Sequence, residues 1–190
     1  MDIYDAILSR RSIKEFKPDT VSKELLEKVL TAGTWAQNHR MTQPWRFTVL
    51  GPETHRKLVE QYAQMQADSL AAHSTPEQRQ LAYDKGLKKL AAKPYMVAVS
   101  STIAPDADVR REDYGAISCA IQNIQLAAWG EGLGMQWSTG KFTTQPSTYE
   151  LLKIDPTQQE IVGILFFGFP AQVPTANPRK SLREVSQWLD

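Results

Sequence analysis

Residues 113–132, DYGAISCAIQNIQLAAWGEG, constrain this chain more than any other stretch. The spacing predicts a helix, and apolar or small residues fall on nearly every face of it, from Ala116, Ile117, Cys119 and Ala120 to Ile121, Ile124, Leu126 and Trp129. A helix that is apolar all round has to be covered all round. In a chain of 190 residues, which suits one domain with a real core, that makes it a central helix, one that a second subunit can share. Cys119 reads as a small buried hydrophobe in this setting. The glycines that follow, Gly130, Gly132 and Gly134, come after a helix and before a strand. A dinucleotide-binding turn runs from strand to helix, so they read as a helix end and turn.

The rest of the chain alternates helical and strand-like patterns. Residues 2–9 read as a short helix, and 22–33 as a second with Ser22 as its cap and Gly33 at its end. RFTVLG (46–51), YMVAVSS (95–101) and GMQWS (134–138) read as strands, and TIAPDAD between two elements reads as a loop. IVGILFFGF (161–169) is a nearly continuous apolar run of strand length, the pattern of a central strand covered on both faces. Two polar helices, about 53–72 and 76–91, form an outer pair or a flap, and another helix is expected near 146–153. Pro170, Pro174 and Pro178 make 170–180 an extended C-terminal arm that can lie across a neighbouring surface. With no internal repeat, the whole of 1–190 reads as a single domain, α+β or three-layered α/β, with a mixed sheet between helices.

Charge narrows the class of partner. Twenty-two Lys and Arg against 21 Asp and Glu leave a net charge of +1, which argues against a nucleic-acid surface. One cysteine excludes an internal disulfide. With no leader pattern and no long apolar run, the expectation is a cytoplasmic protein without a membrane segment. Against that neutral background, SRRSIKEF (9–16) gathers Arg10, Arg11 and Lys14 around Ser12. Such a cluster either is a solvated helix end, its cations favoured by the helix dipole, or holds a small anion through charge-assisted bonds.

Familiar catalytic signatures are missing. His39, His55 and His73 lie far apart, and no metal-binding spacing, nucleophile elbow or phosphate loop is present. A chain with a large core, a phosphate-sized cationic cluster and no acid–base machinery points to borrowed cofactor chemistry.

RRSIKEF, a loop ending in QPW, the buried helix, a WSTG turn, the strand GILFFGFP and the basic tail PRKSLREV occur in this order over nearly the whole chain. Together they resemble the FMN-dependent nitroreductase family, in its small single-domain branch. The resemblance implies an α+β fold of three α/β/α layers around a mixed, mainly antiparallel sheet, built as a domain-interlocked homodimer with FMN at the interface. It implies that Arg10, Arg11 and Ser12 hold the phosphate and ribityl chain, that Lys14 stands at the pyrimidine edge, and that Arg179 and Lys180 form a second phosphate clamp. In the loop AQNHRMTQPW it implies Asn38, His39 and Gln43 as flavin contacts, His39 reaching the partner subunit's flavin and standing as the one candidate proton donor. Met41 occupies a position where many members have Asn, and Trp45 reads as packing. The turn Trp137, Ser138, Thr139, Gly140 is implied to run along the flavin with its backbone N–H groups, the missing side chain of Gly140 permitting close approach. The bland alternatives are an ordinary turn at 137–140 and solvated charges at 14, 179 and 180.

The function implied is oxidation of NADPH or NADH and reduction of a nitroaromatic, quinone or similar small electron-poor acceptor by a ping-pong mechanism, with residues 53–92 covering the substrate side. Two other readings stand beside it: different flavin chemistry on the same fold, such as dehalogenation or enone reduction, and a non-enzymatic module that binds flavin or a phosphorylated ligand.

Overall fold

A computed structural model describes residues 1–189; Asp190, the last residue of the expected single domain, lies outside the described residues. Helix α1 (Ile3–Ser9) is capped by Asp2, and α2 (Lys23–Thr34) by Ser22, whose Oγ accepts the Leu25 N–H at 3.1 Å. Strand β1 (Trp45–Val49) leads to α3 (Pro52–Asp68) and α4 (Pro76–Ala91). Pro at the first turn of α4, and a reciprocal capping box between Thr75 and Gln78, set its start. Then follow β2 (Tyr95–Thr102), α5 (Ala107–Gly130), β3 (Gly134–Ser138), α6 (Pro146–Leu152), β4 (Gln159–Gly168) and α7 (Leu182–Val185).

One boundary differs from the sequence expectation for a local reason. Helix α5 begins six residues earlier than 113, inside the expected loop, because the Asp106 carboxylate accepts the N–H groups of Asp108 and Val109, each at 2.9 Å. Its other end is a Schellman turn. Gly132, at φ 77°, donates to Trp129 O at 3.1 Å and Leu133 donates to Ala128 O at 2.8 Å, as the helix-end reading of the glycines requires.

The four strands form one sheet in the order β1-β2-β4-β3. Every pairing among them is antiparallel. The expected mixed character shrinks to one parallel bridge between Ser12 and Met135 beside β3. Strand alternation sends Val97, Val99, Leu165 and Phe167 to one face, against Leu26, Val29, Ile117, Ile121 and Ile124 of α2 and α5. It sends Met96, Ala98, Ile164 and Phe166 to the other, against Leu58, Val59 and Tyr62 of α3 and Leu90 of α4. The layers are thus α/β/α, and the continuous apolar run of β4 follows from cover on both faces. Each of the large side chains fully enclosed here contributes about 1.5–3 kcal/mol of transfer free energy. Trp45 is buried in the first core, as its packing role predicts.

The segment after α1 runs extended along the far edge of the sheet. Ile13 donates to Met135 O at 3.0 Å, Lys17 to Phe169 O at 2.8 Å, and Ala171 N–H to Glu15 O at 3.0 Å. Three stretches distant in sequence, 10–17, 134–138 and 170–179, are therefore laid side by side. Among the described residues no helix is long and apolar enough to cross a membrane.

Candidate cofactor and substrate site

Alternation along the extended segment decides what faces where. Ile13 is fully buried and packs so closely on Gly134 that a Cβ there would lie 2.7 Å from its side chain. Ser12 and Lys14, one residue to either side, consequently face outward into a cavity of about 430 Å³ together with Arg10, Arg11 and Arg179. Gln172, Pro174, Thr175 and Asn177 of the proline arm line its other wall. The arm thus lies on this chain's own site. Lys180 does not line the cavity and is exposed.

The two neighbouring arginines divide the two roles left open by the sequence. Arg11 Nη1 donates to Leu8 O at 2.9 Å and Arg10 O at 2.8 Å, closing the carbonyl end of α1. That is the helix-end role. Arg10 is different: its Nη1 is buried and has no hydrogen-bond partner. Burial, then Arg11, then Arg179 push its pKa below the ordinary arginine value. A guanidinium cannot escape this by losing its proton, so the cavity is short of an anion.

A second cavity, of about 830 Å³, shares Lys14 and Glu15 with the first. Gln136 and Ser138 line it, on the face of β3 opposite Met135 and Trp137. Gln136 Oε1 is a buried acceptor without a partner. Trp137 packs against the first core on the opposite face, its Nε1 donating to Val162 O at 3.4 Å, and lines neither cavity. Thr139 and Gly140 line neither cavity. Gly140 O accepts both the N–H and the Oγ1 of Thr143 at 2.9 Å, and a Cβ at Gly140 would sit 3.1 Å from the Phe142 ring.

Asn38 and His39 lie elsewhere, in a third cavity of about 480 Å³ beside α5, with Glu112 and Cys119. His39 Nδ1 is 3.0 Å from Glu112 Oε2. Asn38 Oδ1 accepts the Gln43 N–H at 3.0 Å, and Thr42 Oγ1 donates to the buried Asp113 carboxylate at 2.6 Å. Arg40, Met41 and Gln43 all have positive φ, at 57°, 53° and 44°. Three non-glycine residues in the left-handed region are costly, on the order of 1–3 kcal/mol each, and Asn38 and Asp113 hold the loop in that shape. Gln43 lines none of the three cavities. Within one chain, Asn38, His39 and Gln43 are therefore not brought to Arg10, Ser12 and Lys14. Cys119 is half-buried at the core margin.

Sequence reasoning passed over Gln136 and Lys93. Lys93 is 7% exposed, its Nζ donates to Lys14 O, and it lies 5.2 Å and 5.7 Å from the ring centres of Phe16 and Phe166. Its sequence context, AAKPY between a helix and a strand, gives no sign of burial.

The chain matches the Nitroreductase family over residues 7–169. It is 29% identical over 183 residues to "Putative NAD(P)H nitroreductase YfhC" of Bacillus subtilis, which spans 96% of this chain and 91% of that one. The crystal structure of a nitroreductase-like family protein from Bacillus cereus superposes with a TM-score of 0.85 at 30% identity, covering 100% of this chain and 97% of that chain. A nitroreductase from Bacteroides fragilis, solved with bound FMN, shares the fold at 18% identity and a TM-score of 0.73 over the full length of both chains. The match over 7–169, the three-layer fold and the order of the motifs agree, and the chain belongs to the nitroreductase family.

Proposed function

We propose that this protein is an FMN-dependent oxidoreductase that takes reducing equivalents from NADPH or NADH and delivers them to a small electron-poor acceptor. The observation that carries the proposal is the pair of orphaned polar atoms in adjoining cavities. Arg10, whose buried Nη1 has no partner, lines the first, and Gln136, whose buried Oε1 has none, lines the second. A flavin mononucleotide carries a phosphate at one end and a ring with N–H groups at the other, so one ligand satisfies both. Arg10, Ser12 and Arg179 would hold the phosphate beside Arg11, which closes α1; Lys14, which lines both cavities, and Gln136 would face the ring, with Ser138 along it. Held there, FMN would supply the redox chemistry between a nicotinamide donor and a nitroaromatic, quinone or related acceptor.

The chain's own residues bind, orient and exclude water. Lys14 offers a fixed cation against negative charge on the ring, and Phe16, Tyr62, Phe142 and Phe166 give the second cavity an aromatic lining. An open cavity beside the ring that donor and acceptor use in turn fits the ping-pong order. Helices α3 and α4 form the outer wall of this side.

A homodimer belongs to the same reading. Ile3, Tyr4, Ile7 and Leu8 on α1 and Leu182, Val185, Trp188 and Leu189 near the C-terminus are exposed in one chain. Leu126 and Ala127 on α5 are only half covered. An apolar surface of that extent is an interface in waiting. A second copy would also supply Asn38, His39 and Gln43, which one chain keeps away from its own cavity, with His39 the candidate proton donor.

The deciding experiment is a visible absorption spectrum of the purified protein before and after anaerobic NADPH. Flavin bands that bleach with NADPH and return with a nitroaromatic acceptor are the expected result. A protein without flavin bands that also takes up no added FMN would overturn the proposal. Uptake without bleaching would leave a binding module.

A further inference from the structure

The second cavity has more positive charge than a flavin ring requires. Lys14, Lys85, Lys88, Lys89 and Lys93 line it, against one carboxylate, Glu15. The chain as a whole is nearly neutral, so the concentration is local. Of the seven other lysines, three find partners: Lys23 lies 3.5 Å from Glu27, Lys28 2.8 Å from Glu131, and Lys57 3.3 Å from Glu53. Among the described residues, none of the five cavity lysines is in an ion pair.

The arrangement works against the protein's own stability. Lys85 and Lys89 are four residues apart on α4, a spacing at which like charges repel. The helix dipole accounts for Lys88 and Lys89 in the last turn of α4, but not for Lys85, nor for Lys14 and Lys93 converging from other segments. Lys93 is held below the ordinary lysine pKa by burial first, then by Lys89 and Lys14, with Glu15 only partly offsetting them. Phe16, Tyr62, Phe142 and Phe166 line the same cavity, with Lys93 over the rings of Phe16 and Phe166 and Lys89 over Tyr62; Tyr62 and Phe142 meet edge to face at 81°. An aromatic lining with cations at its side recognises an aromatic body with an acidic group attached.

We infer that this cavity is an anion-selecting substrate subsite, in which Lys85 and Lys88 of α4 read a carboxylate or phosphate on an aromatic ligand held against the aromatic lining. The inference deepens the oxidoreductase reading and rests on it. The anionic group has two possible sources, an acidic acceptor or the phosphates of the nicotinamide donor, and the test separates them.

The FMN-loaded protein is titrated with 4-nitrobenzoate and with its neutral counterpart 4-nitrobenzamide, following the perturbation of the flavin spectrum, in the wild type and in Lys85→Gln/Lys88→Gln. KM is measured in parallel for NADPH and for the phosphate-free donor 1-benzyl-1,4-dihydronicotinamide. With an acidic acceptor as the ligand, the wild type binds the benzoate about 10-fold more tightly than the amide. The preference weakens with added salt and collapses in the double variant, while amide binding and FMN content hold. With donor phosphates as the ligand, the variant raises KM for NADPH alone and leaves the benzyl donor and both nitro compounds unchanged. Equal binding of benzoate and amide together with an unchanged NADPH KM would overturn the inference, as would a preference that survives in the variant. If the protein takes up no FMN, the oxidoreductase reading falls by itself. Thermal stabilisation by 4-nitrobenzoate over 4-nitrobenzamide then still decides for or against the anion subsite.

Discussion

Arg10 and Arg11 are adjacent in the chain and end in different electrostatic situations. Arg11 closes the carbonyl end of α1, whereas Arg10 is crowded by Arg11 and Arg179 with a buried nitrogen unpaired. Their substitutions should separate. Arg10→Met removes a cation that nothing in the chain balances, so the melting temperature without FMN should hold or rise. FMN affinity should fall roughly 10- to 100-fold, the worth of one charge-assisted bond. Arg11→Met should lower stability by about 1 kcal/mol through the lost carbonyl contacts. Thermal unfolding with and without FMN, beside a fluorescence titration, reads both; a marked loss of stability in flavin-free Arg10→Met would make Arg10 structural instead. The motif around these residues was legible in sequence, but their division of labour was not, because it depends on where α1 stops. Lys93 and Gln136 were illegible for a related reason: burial of a polar side chain between a helix end and a sheet edge leaves no periodic trace. The substitution at Met41 does have a local reading. Its φ of 53° is one that Asn tolerates better than Met, so the Asn common at this position suits the backbone found here.

At the scale of elements, the end of β3 is held by β4 through a glycine. Val99 pairs with Gly163 and Ser100 with Ile161, leaving Val162 as the extra residue of a β-bulge. The Trp137 indole lies against this bulge. A Cβ at Gly163 would come within 2.3 Å of Trp137 Nε1 and 2.9 Å of the Ser138 carbonyl. The indole can swing, but the Ser138 backbone cannot give without moving the strand. Gly163→Ala should therefore cost about 1–3 kcal/mol, the usual range for overpacking. It should also weaken FMN binding, since Ser138 lines the cavity; denaturant unfolding and FMN titration check the two parts, and a fully stable variant would show that the edge strand shifts freely. Strand content and the central place of β4 were readable from apolar patterning alone. The early start of α5 was not, because the Asp106 cap lies in a polar stretch that composition assigns to a loop. Helix α7 was also unforeseen: its Ser181–Glu184 capping box was hidden in what read as a charged tail. An all-antiparallel sheet likewise follows from pairing partners, which no single strand encodes.

For the whole molecule, the central question is why one chain leaves so much apolar surface uncovered and splits its expected site. Helix α1 docks on α5 through the Trp129 Nε1 bond to Ser9 Oγ at 2.8 Å, yet turns Tyr4 and Leu8 outward, each 72% exposed. The loop carrying Asn38 and His39 opens on the α5 side of the molecule, beside Glu112 and Cys119, away from the arginine cavity. A two-fold partner that covers α1 and α5 would answer both points at once, since an isologous interface makes whatever contact one loop has on the partner reciprocal. Light scattering after gel filtration should give twice the 21.4 kDa of one chain. Leu8 contributes little to its own protomer's core, so Leu8→Glu should leave each protomer folded. It should raise the dimer dissociation constant at least about 10-fold, since burying one leucine side chain is worth 1.5–3 kcal/mol and 1.4 kcal/mol is a factor of ten. FMN affinity should fall in step with the dimer population, and high protein concentration should restore it. A wild-type monomer that binds FMN at full stoichiometry would remove the partner from the site, and with it any role there for Asn38, His39 and Gln43.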